Sequence, residues 1–201
     1  IFKHNKNIYL VPESYEKNQV ILYKAIDFPT KWKKEHVLID NYAGIDNTLF
    51  EYKNKWWMFS SDAKNNSSNN LNLFYTNDLF KKWQAHPQNP IITDGRSARP
   101  AGTPFEYNGN LFRPAMNYSK KNQGSITINK IINMTTKVYH EVPYKDIQPY
   151  KKEPYSDKIH TLSTAGDYTI IDSCKELFVL NNINLIKVLF RSIIKRLSKK
   201  T

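Results

Sequence analysis

The chain repeats itself three times, and that echo restricts its fold more than any other feature. Residues 2–14 align without a gap on residues 50–62, and both align on residues 105–117, at offsets of 48 and 55. Each copy opens on a Phe, passes through a polar stretch rich in Asn, Lys, Tyr or Gly, and then turns strongly apolar. A repeat of this length, built from aromatic-rich runs separated by turn residues, is the pattern of a β-propeller with one repeat per blade. The pairs Lys53-Asn54 and Asn108-Gly109 suit two-residue hairpin loops, because Asn and Gly take positive φ at little cost.

The second half of each repeat reads as another strand pair. Residues 20–25 match residues 71–76 and, more loosely, residues 125–130, and the last two alternate as strands do. A turn follows, then an aromatic (Trp32, Trp83 or Tyr139), then an outer strand expected at 36–39, 90–93 and 139–142. Four strands per repeat give blades at about 1–40, 48–93 and 102–147, with a partial blade at 159–173. The fold class expected is therefore all-β, a propeller type, incomplete at about three and a half blades, filling residues 1–176. Because at least four blades are needed to close a ring, further sequence is expected before Ile1, which opens inside a strand.

Residues 177–201 differ in kind. Leu185, Ile186, Leu189, Phe190, Ile193, Ile194 and Leu197 recur at helical spacing, with Lys187, Arg191, Lys195, Arg196, Lys199 and Lys200 between them. This predicts a C-terminal basic amphipathic helix, which either lies on an anionic membrane surface or packs against a blade or another domain. The net charge is +12, and the basic residues outside this tail read as diffuse lysine beside asparagine. No arginine-rich groove or nucleic-acid module accompanies the charge, so a nucleic-acid partner is not expected. The single Cys174 excludes an internal disulfide. No ligand cluster points to a metal, and no motif points to a cofactor. No signal or membrane span is visible, and the placement expected is cytoplasmic, with the tail offering a peripheral membrane contact.

Several long runs resemble one known family. They are Tyr9-Leu10-Val11-Pro12-Glu13-Ser14, Phe28-Pro29-Thr30-Lys31-Trp32, Ile45-Asp46-Asn47-Thr48-Leu49-Phe50, Trp56-Trp57-Met58-Phe59, His86-Pro87-Gln88-Asn89-Pro90, Ala98-Arg99-Pro100-Ala101-Gly102, Leu111-Phe112-Arg113-Pro114-Ala115 and His160-Thr161-Leu162-Ser163. Together they resemble the N-terminal propeller domain of the glucosamine inositolphosphorylceramide transferases across most of residues 7–173. That domain is similar in turn to glycosyl hydrolase family 43-like five-bladed propellers, in which three axial carboxylates serve as base, pKa-tuning group and acid. The resemblance puts Asp46 in the setting of the tuning group. The position of the acid reads Arg99-Pro100-Ala101-Gly102, without a carboxylate, and the base would lie before Ile1. Glycoside hydrolysis needs a proton donor and a second carboxylate opposite it, so standard glycosidase activity is not expected.

The resemblance implies a carbohydrate-active or carbohydrate-binding propeller domain serving glycan or glycolipid assembly, with its ligand at the axial mouth. Two alternatives stay open: a glycoside hydrolase with its base on a missing blade, and a non-catalytic platform at a membrane surface. Asp46 and Glu13 are the catalytic candidates. The ligand-binding candidates are Asp46, Arg99, Arg113, Glu13, His160 and Trp57. Arg113 interrupts an apolar strand and therefore requires an anionic partner, either ligand phosphate or carboxylate or a protein carboxylate such as Asp46 or Glu13. Two arginines beside carboxylates favour a phosphorylated or acidic sugar over a neutral one. Trp56 and Trp57 alternate faces, one packing between blades and the other offering a stacking surface.

Overall fold

The computed structural model describes residues 1–119, 124–152, 154–165 and 168–176. The expected C-terminal helix at 177–201 lies outside these residues. Among the described residues there is no α-helix, only one short 3-10 turn at Tyr15–Lys17.

Three successive antiparallel meanders account for most of the chain. The first runs β1 (Phe2–His4), β2 (Asn7–Leu10), β3 (Gln19–Asp27) and β4 (Lys31–Asp40), paired in chain order. The second runs β5 (Gly44–Tyr52), β6 (Lys55–Asp62), β7 (Asn72–Thr76) and β8 (Gln84–Ala85). In the third, β9 (Arg99–Pro100) and β10 (Phe105–Tyr107) both pair with β11 (Asn110–Asn117), which is followed by β12 (Ser125–Met134) and β13 (Tyr139–Ile147). A hairpin of β14 (Lys158–Ala165) and β15 (Tyr168–Cys174) ends the described chain.

The repeat has a direct backbone cause. In all three copies the first hairpin turns on two residues of positive φ: Asn5 and Lys6 (46° and 63°), Lys53 and Asn54 (50° and 56°), Asn108 and Gly109 (49° and 70°). That geometry matches the right-handed twist of the flanking strands. The strand pairs His4↔Asn7, Tyr52↔Lys55 and Tyr107↔Asn110 close each turn in the same register. One expected strand is replaced. At 90–93 the second sheet has only the bridge Leu71↔Ile92, and its outer strand is the short β8. Asn89 explains the difference. Its side chain takes the Leu73 N–H and donates to the Leu73 carbonyl, doing there what strand backbone would do.

The core lies between sheets. Tyr9, Val20 and Leu22 of the first sheet meet Trp56, Met58, Phe74 and Trp83 of the second. The opposite face of the second sheet presents Trp57, Phe59, Leu71 and Leu73 to Leu111, Ile131 and Tyr139 of the third. Phe112, Ile126 and Ile128 pack on Ile159 and Leu162 of the last hairpin. Strand alternation sends successive residues of β6 to two different neighbours, and each large apolar side chain buried this way contributes roughly 1.5–3 kcal/mol.

His86 pins the second sheet to the third. It is buried, its Nδ1 accepts the Gln88 N–H at 3.2 Å, and its Nε2 lies 3.0 Å from the Thr135 carbonyl. Only the neutral ring with its proton on Nε2 satisfies both partners. Burial pushes its pKa below the ordinary histidine value, with the Thr135 carbonyl opposing that shift. The unfolded chain therefore binds a proton first as pH falls. The contribution of His86 is complete above about pH 6.5 and is lost progressively below it. Denaturant titrations at falling pH should show this loss, and His86→Gln should flatten it. A wild-type stability that stays level through the histidine range would contradict this role.

Candidate functional site

Four consecutive units contribute to one cavity of about 340 Å³. Phe2 and Val11 come from the first sheet, Asn47, Thr48 and Leu49 from β5, Gly102 and Thr103 from the segment between β9 and β10, and Ser163 and Thr164 from β14. Residues of the three sheets and the last hairpin thus converge on one cavity. Hydroxyl and amide groups supply the polar part of the wall, and none of these lining side chains is ionised.

Local backbone breaks shape the wall. In β5 the register slips between Ile45 and Thr48, and Asp46 takes a φ of 50°. The bulge turns Asn47 so that its amide donates to the Gly44 carbonyl at 3.1 Å and accepts from the Ser60 hydroxyl at 2.7 Å. The third sheet breaks its inner strand at the equivalent level, between β9 and β10. There Gly102 has a φ of 139°, and a Cβ on it would overlap the Leu162 carbonyl oxygen. The Leu162 N–H donates to the Ala101 carbonyl at 2.7 Å, so the glycine permits the last hairpin to approach.

Beside Asn47, Asp46 accepts a hydrogen bond from Arg99 Nε, and Arg99 Nη1 reaches the Ser67 hydroxyl at 3.2 Å. Both charged side chains keep about a fifth of their surface open, 23% and 18%. This pair links the second and third sheets next in sequence to the cavity-lining Asn47, without lining the cavity itself, and is the only described ion pair formed by two residues expected at the mouth.

The other sequence candidates lie elsewhere. Arg113 is fully buried between the second and third sheets. Its Nε and Nη2 hold Glu141 at 2.9 and 2.6 Å, and its guanidinium sits 5.3 Å from the Phe59 ring centre. Burial works against its charge, but Glu141 and Tyr139 more than offset that and its pKa moves up. The anionic partner that an arginine in an apolar strand demands is therefore Glu141, not a ligand, Asp46 or Glu13. Trp57 is 3% exposed, donates to the Tyr52 carbonyl at 3.1 Å and tilts against Tyr75. Trp56 is buried against Phe2 and His4 on the other face, so neither indole offers a stacking surface.

Glu13 is exposed and borders a shallow depression with Pro12, Tyr15 and Tyr23, away from the cavity that Val11 lines. His160 borders a different pocket, between the ends of β11 and β12 and the last hairpin. Its Nδ1 lies 3.5 Å from Asp172. Desolvation raises the Asp172 pKa, but the Thr161 N–H and hydroxyl and the His160 ring prevail and hold it below the usual carboxylate value. Sequence reasoning missed Asn47, Thr48, Thr103, Ser163 and Thr164 because neutral residues carry no charge signal. All but Thr103 and Thr164 stand inside the family-like runs.

Comparison with known proteins agrees with this fold. The Bacteroides ovatus xyloglucan PUL GH43B superposes with a TM-score of 0.57 at 16% identity, over 84% of this chain and 34% of its own. The Bombyx mori GH32 beta-fructofuranosidase BmSUC1 gives 0.51 at 15% identity, over 81% and 38%. Zg3597, a family 117 glycoside hydrolase from Zobellia galactanivorans, gives 0.51 at 12% identity, over 79% and 49%. At these identities the likeness establishes the fold, which is of the propeller type, though the described sheets do not close a ring. In sequence, glucosamine inositolphosphorylceramide transferase 1 of Oryza sativa subsp. japonica is 36% identical over 148 residues, and that of Arabidopsis thaliana is 33% identical over 149. Both alignments cover 71% of this chain, which spans about a fifth of the length of these curated relatives. The family model described as glucosamine inositolphosphorylceramide transferase 1, N-terminal, matches residues 1–158, and the chain therefore belongs to that family.

Proposed function

We propose that the axial mouth binds a carbohydrate bearing an acidic or phosphoryl group, and that the domain serves glycan or glycolipid assembly without standard glycosidase chemistry. The observation that carries this reading is the cavity itself. Asn47, Thr48, Thr103, Ser163 and Thr164 offer donors and acceptors in numbers that suit sugar hydroxyls, with Leu49 and Val11 as apolar floor. Arg99, held by Asp46 next to the cavity residue Asn47, keeps part of its side chain open to solvent, and its planar fork suits a phosphate or carboxylate. Asp46 then acts in two ways: it orients Arg99, and it is available to sugar hydroxyls from its bulge.

Family membership and the glycosidase-type fold support a carbohydrate-related role. The absence of a carboxylate among the described lining residues favours binding over hydrolysis, which calls for two carboxyl groups flanking the scissile bond. The expected membrane partnership of residues 177–201 remains a proposal of its own. Among the described residues no helix is long and apolar enough to cross a membrane.

A glycan array containing neutral, carboxylated and phosphorylated sugars tests the mouth. Wild type should prefer the anionic members. Arg99→Ala should weaken them by roughly 10- to 100-fold, the size of one or two charge-assisted hydrogen bonds, and Asn47→Ala should weaken all members alike. Unchanged binding in both variants would remove the ligand from this cavity.

A further inference from the structure

In an antiparallel meander the first and third turns fall at the same end of the sheet. Here that end is opposite the mouth, since Asp46, Arg99 and Val11 sit where inner strands begin or second strands finish. The turn ends of neighbouring sheets meet on one face. Phe80 lies 6.3 Å from His4 across the first seam, and His86 reaches Thr135 across the second.

This face carries a local excess of lysine, with exposed Glu51 and Glu106 just outside its first turns. Lys6, Lys31, Lys53, Lys81, Lys82 and Lys137 all stand exposed on it. The carboxylates on the same turns are Asp27 and Asp78, held by Lys31 and Lys81 at a loose 3.8 Å. Among the described residues Lys6, Lys53, Lys82 and Lys137 meet no carboxylate. The opposite end is mixed, with Glu13, Glu16, Asp40, Asp62 and Asp94 beside Lys17, Lys64 and Arg96. Apolar tips rise among the lysines: Ile26, Phe28, Phe80, Tyr107 and Val138 are between 37% and 66% exposed. Each of the three meanders contributes at least one of them.

We propose that this turn face docks on an anionic phospholipid surface. The lysines would meet headgroup phosphates and carboxylates, and the separate apolar tips would enter the interfacial layer. Nucleic acid fits less well. The turns carry lysine and no arginine, and their aromatic side chains stand singly on separate loops, without the continuous stacking floor that bound bases need. Docking in this way turns the axial mouth toward water, so its sugar arrives from the aqueous side.

Each lysine close to such a surface gives about a fivefold gain in partitioning. The test is sedimentation of the intact chain with vesicles of phosphatidylcholine, alone or mixed with phosphatidylserine. Binding is expected only with phosphatidylserine, and salt should weaken it. Combining Lys53→Gln, Lys81→Gln, Lys82→Gln and Lys137→Gln should cut it by a hundredfold or more on the same estimate. Phe28→Ser with Tyr107→Ser should weaken it with only a small change in melting temperature, because both side chains are exposed and Phe28 keeps just an edge contact with Trp32. A second set, Lys195→Gln, Arg196→Gln, Lys199→Gln and Lys200→Gln, separates this face from the basic C-terminus. Binding that survives the turn-face set and disappears with the C-terminal set would overturn the proposal. So would equal binding to both vesicle types, or a turn-face set that abolishes DNA binding and leaves vesicle binding intact.

Discussion

Arg113→Ala is expected to destabilise the protein by about 3–5 kcal/mol, the cost of leaving a buried carboxylate without its partner. Native domains hold only about 5–15 kcal/mol in total, so much of the population unfolds under mild denaturant. The cause is the seam between the second and third sheets. Glu141 is 2% exposed at its side chain and takes two hydrogen bonds from Arg113 and one from the Tyr139 hydroxyl. Burial, then the Glu141 charge, pushes the Tyr139 phenol well above its usual value, so it stays a donor. It cannot replace the lost cation.

The same seam predicts strong non-additivity. Arg113 Nη1 is buried with no hydrogen-bond partner among the described residues, so its own burial is not fully compensated. Combining Arg113→Met, Tyr139→Phe and Glu141→Leu removes every side chain of the network, leaving only the Ser97 carbonyl that Arg113 also held, and should be more stable than Arg113→Ala alone. Equilibrium denaturation of the two variants decides the matter. A combined variant as unstable as the summed single losses would show that the pair is a net stabiliser. Ligand binding at the mouth should be unaffected in whatever fraction of Arg113→Ala stays folded, because Arg113 does not line that cavity.

Gly102→Ala should cost about 3 kcal/mol, for two reasons that act together. A φ of 139° is closed to side chains, and the added Cβ would meet the Leu162 carbonyl. The backbone cannot yield cheaply, because Ala101 and Leu162 are joined by their hydrogen bond. The last hairpin would lift, and Ser163 and Thr164 would leave the cavity wall. At roughly 2–4 °C per kcal/mol for a chain of this size, the melting temperature should fall by about 10 °C. Gly109→Ala is the control. Its φ is 70° and its Cβ would meet nothing within 4 Å, so only the left-handed backbone cost of about 1–2 kcal/mol applies. Equal melting of the two variants would refute the close-approach argument.

Much of this was legible in advance. Two-residue hairpin turns demand positive φ, which Asn and Gly take cheaply, and each of the three first turns carries Asn5, Asn54 or Asn108–Gly109 there. Aromatic-rich repeats and quoted family runs led to the propeller type and to the placement of Asp46 and Arg99 together. The short β8 was not legible, since Asn89 imitates strand backbone with its side chain. Nor was Glu141, which stands in an exposed-looking strand of alternating polar residues. Its partner is two strands away across the sheet, and no spacing along the chain encodes that distance.

By itself the sequence determined the repeat, the turns, the strand parity and the family, because each depends on neighbours within a few residues or on similarity along the chain. It could say that Trp56 and Trp57 face opposite ways, and that Arg113 needs an anion. Only the tertiary structure decided that both indoles meet another sheet, that the anion is Glu141, and that six of the lysines read as diffuse stand together on one face. Parity along a strand chooses between two faces of a sheet. Whether a face meets the axis, a neighbouring sheet or water depends on how the sheets are arranged around that axis, and residues distant in sequence set that arrangement together.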